Sequence, residues 1–354
     1  MTVRYFLGAN TPDGFYSLFQ HLLPVEEAKT LYILKGGPGC GKSTLMNRLS
    51  RTAQELEEPV EEILCSGDPD SLDGVIFPQR RVALVDGTFP HVMEPRCPGA
   101  VDRYVDLGAC YDFPALAPLK GEILKQKTLC GDCCTRSARF FRAAAELREE
   151  ERALLLTPDL QEKFRKRAAG IVKREFPRRK GAGAGTVTHR FLDALTCQGE
   201  VHLYDTAKVL CPRCCILSDR WGLSHQFLFH ILSGTVENGY DVVACHDPMF
   251  PDRLRHVLVP GVAGFLTDSG AYAGNSNRHL RLDAMVNQTL CRTHRAALRF
   301  SRKLSDSLVG EGCDALAGFK EAHDVLEELY RPHTDFTGMD DLAERMAQEI
   351  FGAP

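Results

Sequence analysis

An apolar run, Leu31 to Leu34, opens into a glycine-rich stretch and closes on an amphipathic segment: LYILKGGPGCGKSTLMNRL, residues 31–49. The stretch fits G-x-x-x-x-G-K-[ST] at every fixed position, and each residue type has a physical reason. Glycines let the backbone curl so that successive N–H groups point at phosphate oxygens, where a Cβ would collide. Lys42 can reach a β- or γ-phosphate as a point charge, and the Ser43 hydroxyl can ligate Mg²⁺. The positive end of the following helix adds to the anion site. Strand, complete loop and helix occur together, which is the context the motif demands. The expected ligand is a nucleoside triphosphate, ATP, with Mg²⁺. Its contacts are expected from Gly36, Gly37, Pro38, Gly39, Cys40, Gly41, Lys42, Ser43 and Thr44.

The chain has 354 residues, enough for two domains that each bury a core. With 25% charged and 44% apolar residues it has the composition of an ordinary soluble globular protein. A formal charge of −4 gives no global reason to expect nucleic-acid binding. The N-terminal stretch MTVRYFLGANTPDG lacks the apolar core of a signal peptide. No run approaches the ~18 apolar residues of a spanning helix. No membrane association is expected, the 14 cysteines read as reduced thiols, and a cytoplasmic location is the expectation.

The chain also repeats itself. Residues 5–19, YFLGANTPDGFYSLF, superpose on residues 190–203, RFLDALTCQGEVHL. Phe6 matches Phe191, Leu7 matches Leu192, Ala9 matches Ala194, Thr11 matches Thr196, Gly14 matches Gly199 and Leu18 matches Leu203. After a two-residue slip, Ile33-Leu34 falls on Ile216-Leu217, Gly39 on Gly222 and Leu45 on Leu228. Self-similarity over this distance indicates two tandem copies of one α/β unit. The second copy has lost the loop chemistry: residues 219–226 read DRWGLSHQ where the first copy has GGPGCGKS. In this gapless alignment Asp219 replaces the first glycine, Trp221 crowds the cradle, His225 replaces the lysine and Gln226 replaces the hydroxyl. A nucleotide-dead copy is the expectation; the alternative is that His225 and Arg220 hold some other anion.

Within the first copy, the apolar stretch Glu62 to Cys65 precedes SGDPDSLDG. Ligands of parallel sheets collect at the carboxyl ends of strands. Asp68, Asp70 and Asp73 therefore become candidates for Mg²⁺ or for a substrate, against plain turn chemistry. Next, Arg81 to Asp86 reads as a buried strand ending in aspartate, the Walker-B pattern whose carboxylate serves the Mg²⁺ shell. Gly87 follows, so no adjacent Asp-Glu pair supplies a base, and His91 and Glu94 are the nearest later groups to position water. In the second copy Asp268 reads as the counterpart of Asp86.

From about Leu116 to Val172 the composition turns helical. Between Lys163 and Lys180 lie nine basic residues and one acid, Glu175. That patch could bind nucleic acid or an acidic partner, or lend an arginine to the phosphates, although a solvated helix face is the commoner explanation. The run Gly181 to Gly185 reads as a linker. Two further amphipathic helices are expected, Phe319 to Tyr330 and Asp340 to Phe351. Cys130, Cys133 and Cys134 with Cys211, Cys214 and Cys215 superficially offer zinc spacings, but the two clusters are too far apart for a compact site, so structural thiols are expected. His323 and Glu327 read as a surface pair one turn apart.

The combination YFLGANTPDGF, LKGGPGCGKST, SGDPDSLDGVIFP and VDGTFPHVMEPRCPGAVD resembles a bacterial family of tandem P-loop ATPases with no assigned substrate. HDPMFPDRLRHVLVP and AHDVLEELYRPHTDF resemble that family's second half and C-terminal helical segment. The resemblance implies ATP binding at 36–44 and a Mg²⁺ role for Asp86. It also implies a phosphate loop in the second half, from which this sequence departs.

The expected fold is α/β: a P-loop NTPase three-layer sandwich, duplicated in tandem, with helical segments after each half. The expected units are a nucleotide-competent domain at 1–115, a helical segment and basic Gly/Ala linker at 116–185, a degenerate copy at 186–300 and a C-terminal helical segment at 301–354. Three functions fit. One is an ATPase whose catalytic set is Lys42, Asp86 and His91, with Ser43, Asp86, Asp68 and Asp70 as metal candidates. The others are a kinase for a small acceptor and a nucleotide-gated module that binds a protein partner with negligible turnover.

Overall fold

The computed structural model describes residues 1–268 and 278–352. The chain opens with β1 (Thr2–Phe6) and the hairpin β2 (Gly8–Thr11) and β3 (Gly14–Ser17). Then come β4 (Thr30–Lys35), α1 (Lys42–Glu55), β5 (Val60–Leu64), β6 (Leu72–Phe77), β7 (Val82–Asp86) and β8 (Asp102–Asp106). Short α2 (Phe113–Leu116) leads into α3 (Lys120–Leu155), of 36 residues, and α4 (Pro158–Glu175). The order then recurs with β9 (Val187–Arg190), the hairpin β10 (Asp193–Thr196) and β11 (Gly199–His202), and α5 (Tyr204–Leu210). It continues through β12 (Cys214–Ser218), α6 (Ser224–Glu237), β13 (Val242–His246), β14 (Leu254–Val259), β15 (Ala263–Thr267) and β16 (Arg278–Arg281). It ends on α7 (Gln288–Thr293), α8 (Arg295–Tyr330), again of 36 residues, and α9 (Met339–Phe351).

Two six-stranded sheets result, ordered β1-β5-β6-β7-β4-β8 and β9-β13-β14-β15-β12-β16. The duplication read from the sequence is thus present strand for strand. Both sheets are mixed. β6 runs antiparallel to β5 and β7, and β14 runs antiparallel to β13 and β15. Local detail repeats as well: Thr11 Oγ1 donates to Gly14 O at 2.8 Å, and Thr196 Oγ1 donates to Gly199 O at 2.9 Å. The matched residues Phe6 and Phe191 pair with each other, each N–H donating to the other's carbonyl at 2.9 Å. A reciprocal antiparallel bridge between equivalent residues places a local two-fold relation between the halves.

The three-layer sandwich expected for each half is changed by that pairing. Strand side chains alternate between faces. In the second sheet Cys214, Ile216, Cys245, Leu258 and Leu266 join the core of the first half, together with Tyr204 and Ala207 of α5. The alternate set, Cys215, Leu217, Ala244, Val257 and Phe265, packs with α4 and α6. One face of each sheet therefore carries helices, and the other faces a core that the two halves share.

The helices that follow each half are exchanged. α4, which trails the first half, packs its Phe164 against Phe227 of α6, ring centroids 6.4 Å apart. α9, which trails the second half, buries Ala343, Met346 and Ile350 in the first core and sets Phe351 against Phe77 at 4.9 Å. Ion pairs from Arg48 to Asp340 and from Arg103 to Glu349 fix it there. α3 and α8 make the crossing as an antiparallel pair. Cys130 lies by Phe319, Ser305 by Ala144 and Ser301 by Leu147. Among the described residues no helix is long and apolar enough to cross a membrane.

Candidate functional site: the glycine-rich loop and its degenerate twin

β4 lies between two parallel neighbours, β7 and β8, and the loop leaves its carboxyl end. Gly39 and Gly41 adopt φ of +68° and +88°, a region that favours glycine. The Lys42 ammonium folds back into the loop, donating to the carbonyls of Gly36 at 2.7 Å and Gly37 at 2.8 Å. It lies 3.6 Å from Asp86 Oδ2, with both side chains largely buried. Register explains the meeting, because Asp86 ends β7 directly opposite Leu34. The other Asp86 oxygen accepts from the Thr88 N–H at 2.8 Å and from its hydroxyl. Ser43 Oγ accepts from the Leu72 N–H at 2.9 Å, tying the first turn of α1 to β6. Cys40 is buried and Thr44 is exposed.

The structure brings Lys42 and Asp86 together, leaves Asp73 close enough for both charges to act on it, and holds Asp68, Asp70 and Glu94 in other contacts. Asp68 accepts from the Asp70 N–H and the Ser71 hydroxyl, as a turn does, and lies 3.7 Å from Lys320 of α8. Asp70 is exposed and accepts from Gln198 Nε2 of the second hairpin at 2.9 Å. His91 is buried between Phe15 and Phe19, with ring centroids 5.0 and 4.9 Å away, and its Nε2 stands 3.1 Å from Asp73 Oδ2. Burial pushes the Asp73 carboxyl up to about 6, against the lowering effect of His91. Cys65, which sequence reasoning passed over, completes this group; its ligating atom and those of Asp73 and His91 lie within 4.8 Å of one another. Glu94 faces outward, where Tyr104 OH donates to it at 2.5 Å and Lys35 lies 3.4 Å away. Lys35 Nζ donates to Gly87 O and Met93 O and so fixes the loop after β7.

The rim of the loop is built from distant chain. Tyr111 OH donates to Pro38 O at 3.1 Å, and its ring lies 5.2 Å from that of Tyr330. A Cβ on Gly39 would come within 3.1 Å of Glu327 O, and one on Gly41 within 3.0 Å of Met339 Cε. The end of α8 and the start of α9 therefore lie over this loop. His323 and Glu327 form the expected surface pair at 3.8 Å, both half-buried.

In the second half the gapless alignment needs correction. Six residues, 36–41, join β4 to α1, whereas five, 219–223, join β12 to α6. Buried helix positions Leu45, Met46, Leu49 and Ala53 therefore correspond to Phe227, Leu228, Ile231 and Thr235. Ser224 takes the place of Lys42, and His225 that of Ser43. His225 also does the same structural work, its Nδ1 accepting from the Leu254 N–H at 3.0 Å as Ser43 accepts from Leu72. Asp268 is likewise displaced by one. Thr267 stands opposite Leu217 where Asp86 stands opposite Leu34. Asp268 N–H donates to Leu217 O as Gly87 N–H donates to Leu34 O.

The Asp219 carboxylate accepts from the N–H groups of Leu223 at 2.9 Å and Ser224 at 2.6 Å. Those amides open α6, so a covalently attached anion takes the helix terminus that would otherwise suit a phosphate. Arg220 lies over the Trp221 ring at 5.1 Å and Arg302 at 6.0 Å.

The two cysteine clusters do not meet. Cys130, Cys133 and Cys134 lie on α3, while Cys211 Sγ contacts Val259 O at 3.8 Å in the core. On α4 the basic residues are partly neutralised by Asp159 and Glu162. Comparisons with protein-family models, with curated proteins and with solved structures found no match.

Proposed function

We propose that this chain binds ATP with Mg²⁺ in the loop of residues 36–43 and hydrolyses it, with the second half as a nucleotide-free structural twin. One observation carries the reading: the Lys42 ammonium is held inside the loop by two carbonyls, with the Asp86 carboxylate beside it. Phosphate oxygens are stronger acceptors than those carbonyls and would draw the ammonium to themselves. The loop N–H groups and the start of α1 would receive the remaining phosphate charge. Ser43 and Asp86 would hold Mg²⁺, which neutralises charge between the β- and γ-phosphates. Asp219 supports the one-site reading, since its carboxylate would repel a triphosphate from the second loop.

A second reading, a nucleotide-gated module, is favoured by the cover that Tyr111, Glu327 and Met339 place over the loop. Nucleotide binding there would be coupled to the position of α8 and α9. Thermal denaturation with ATP, GTP and ADP, with and without Mg²⁺, tests the shared claim. A ligand at 100 times its Kd adds about 2.7 kcal/mol, which is readily seen. ATP·Mg²⁺ is expected to raise Tm, and phosphate release then separates the readings. No shift with any nucleotide would overturn both.

A further inference from the structure

We propose that Cys65, Asp73 and His91 form a zinc-binding centre beside the glycine-rich loop. The three come from separate segments: Cys65 follows β5, Asp73 lies on β6 and His91 lies beyond β7. The antiparallel register of β6 with both neighbours brings them together, and their ligating atoms all lie within 4.8 Å of one another.

The pair at its centre is arranged as ligands of one ion are. His91 Nε2 stands 3.1 Å from Asp73 Oδ2. Two bonds of about 2.0 Å at a tetrahedral angle place their donor atoms roughly 3.3 Å apart. Yet Oδ2 finds no hydrogen-bond partner among the described residues, and neither does His91 Nδ1. A buried carboxylate oxygen in that condition is rare. Asp73 and His91 are 4% and 6% exposed, and Phe15 and Phe19 hold the imidazole in place.

Charge and softness choose the ion. A thiolate and a carboxylate neutralise a dication, which removes the penalty of burying either anion alone. One sulfur, one nitrogen and one oxygen donor suit zinc and exclude Mg²⁺ or Ca²⁺, which take oxygen. Three protein ligands leave a fourth position open. The centre adjoins the glycine-rich loop: Leu72, which binds Ser43, immediately precedes Asp73, and the charges of Asp86 and Lys42 act on the Asp73 carboxyl. Zinc would therefore brace the floor of the loop.

The test uses the full-length protein without nucleotide, stripped with a chelator and then titrated with Zn²⁺ against a chromophoric competitor. One tight zinc per chain is expected. Co²⁺ in its place is expected to give a thiolate-to-metal charge-transfer band that Cys65→Ser abolishes. Asp73→Asn and His91→Gln should each weaken zinc by more than the roughly 10–100-fold that changes outside the ligand set cause. Should those variants fold poorly, alkylation mapped on the unmodified sequence decides: zinc should protect Cys65 and leave exposed Cys134 reactive. A charge-transfer band that persists in folded Cys65→Ser, or alkylation of Cys65 unaffected by zinc, would overturn the proposal.

Discussion

Lys42 contacts two loop carbonyls, the buried Cys40 sulfur at 3.7 Å and the Asp86 carboxylate. Lys42→Ala leaves the largely buried Asp86 carboxylate without its cation, so the free protein is expected to stay folded with a lowered melting temperature. A lost charge-assisted hydrogen bond is worth about 1.5–3 kcal/mol, so ATP·Mg²⁺ affinity should fall by at least about tenfold in a direct titration. Asp86→Asn should weaken ATP only when Mg²⁺ is present; an equal loss in EDTA would give Asp86 a structural role instead. Asp219 does the work of a helix cap. Asp219→Ala is expected to cost about 0.5–2 kcal/mol in denaturant unfolding while nucleotide affinity stays constant. The loop was legible in the sequence because its chemistry is contiguous, and Asp86 because strand length placed it beside Leu34. Cys65 was not legible: its relation to Asp73 and His91 depends on the register of three strands, which no spacing along the chain displays.

At the scale of elements, α4 and α9 each cover the glycine-loop helix of the opposite half. Ile350 of α9 is 4% exposed in the first core. Ile350→Ala should destabilise the chain by about 2–5 kcal/mol in urea unfolding, with increased hydrogen exchange in α1, a helix some three hundred residues upstream. If exchange rose only within the second half, the exchange of helices would be contradicted. The sequence displayed α4 through its helix-forming composition and α9 through its amphipathic pattern, but not their destinations, because an apolar stripe does not name the surface it covers. β6 escaped notice for a related reason. It is buried along its whole length and shows no alternation. The shortened second loop was hidden because Gly222 matches Gly39 in a gapless comparison; the buried positions of α6 reveal the missing residue.

For the whole molecule, the two halves meet at the Phe6–Phe191 bridge and through a common core. Beside that bridge His189 Nδ1 lies 2.8 Å from His246 Nε2, and the His21 ring lies 4.8 Å from that of His189. Arg190, paired with Glu61 at 3.2 Å, is the neighbouring charge. Burial, then His246, His21 and Arg190, lower His189 to about 4; burial also lowers His21 and His246. The unfolded chain takes up protons near pH 6.5, and the folded chain only lower. The stability these groups allow is therefore complete above about pH 6.5 and declines as the pH falls toward 4. Tm should drop between pH 7 and pH 5, and drop less in His189→Asn; equal drops would remove His189 from the account. The central claim, one live loop and one filled by its own aspartate, is tested most directly by isothermal titration of ATP·Mg²⁺ into the chain. A single site per chain is expected, abolished or strongly weakened in Lys42→Ala and unaltered in His225→Ala. Two equivalent sites, or one that survives Lys42→Ala and disappears in His225→Ala, would contradict it.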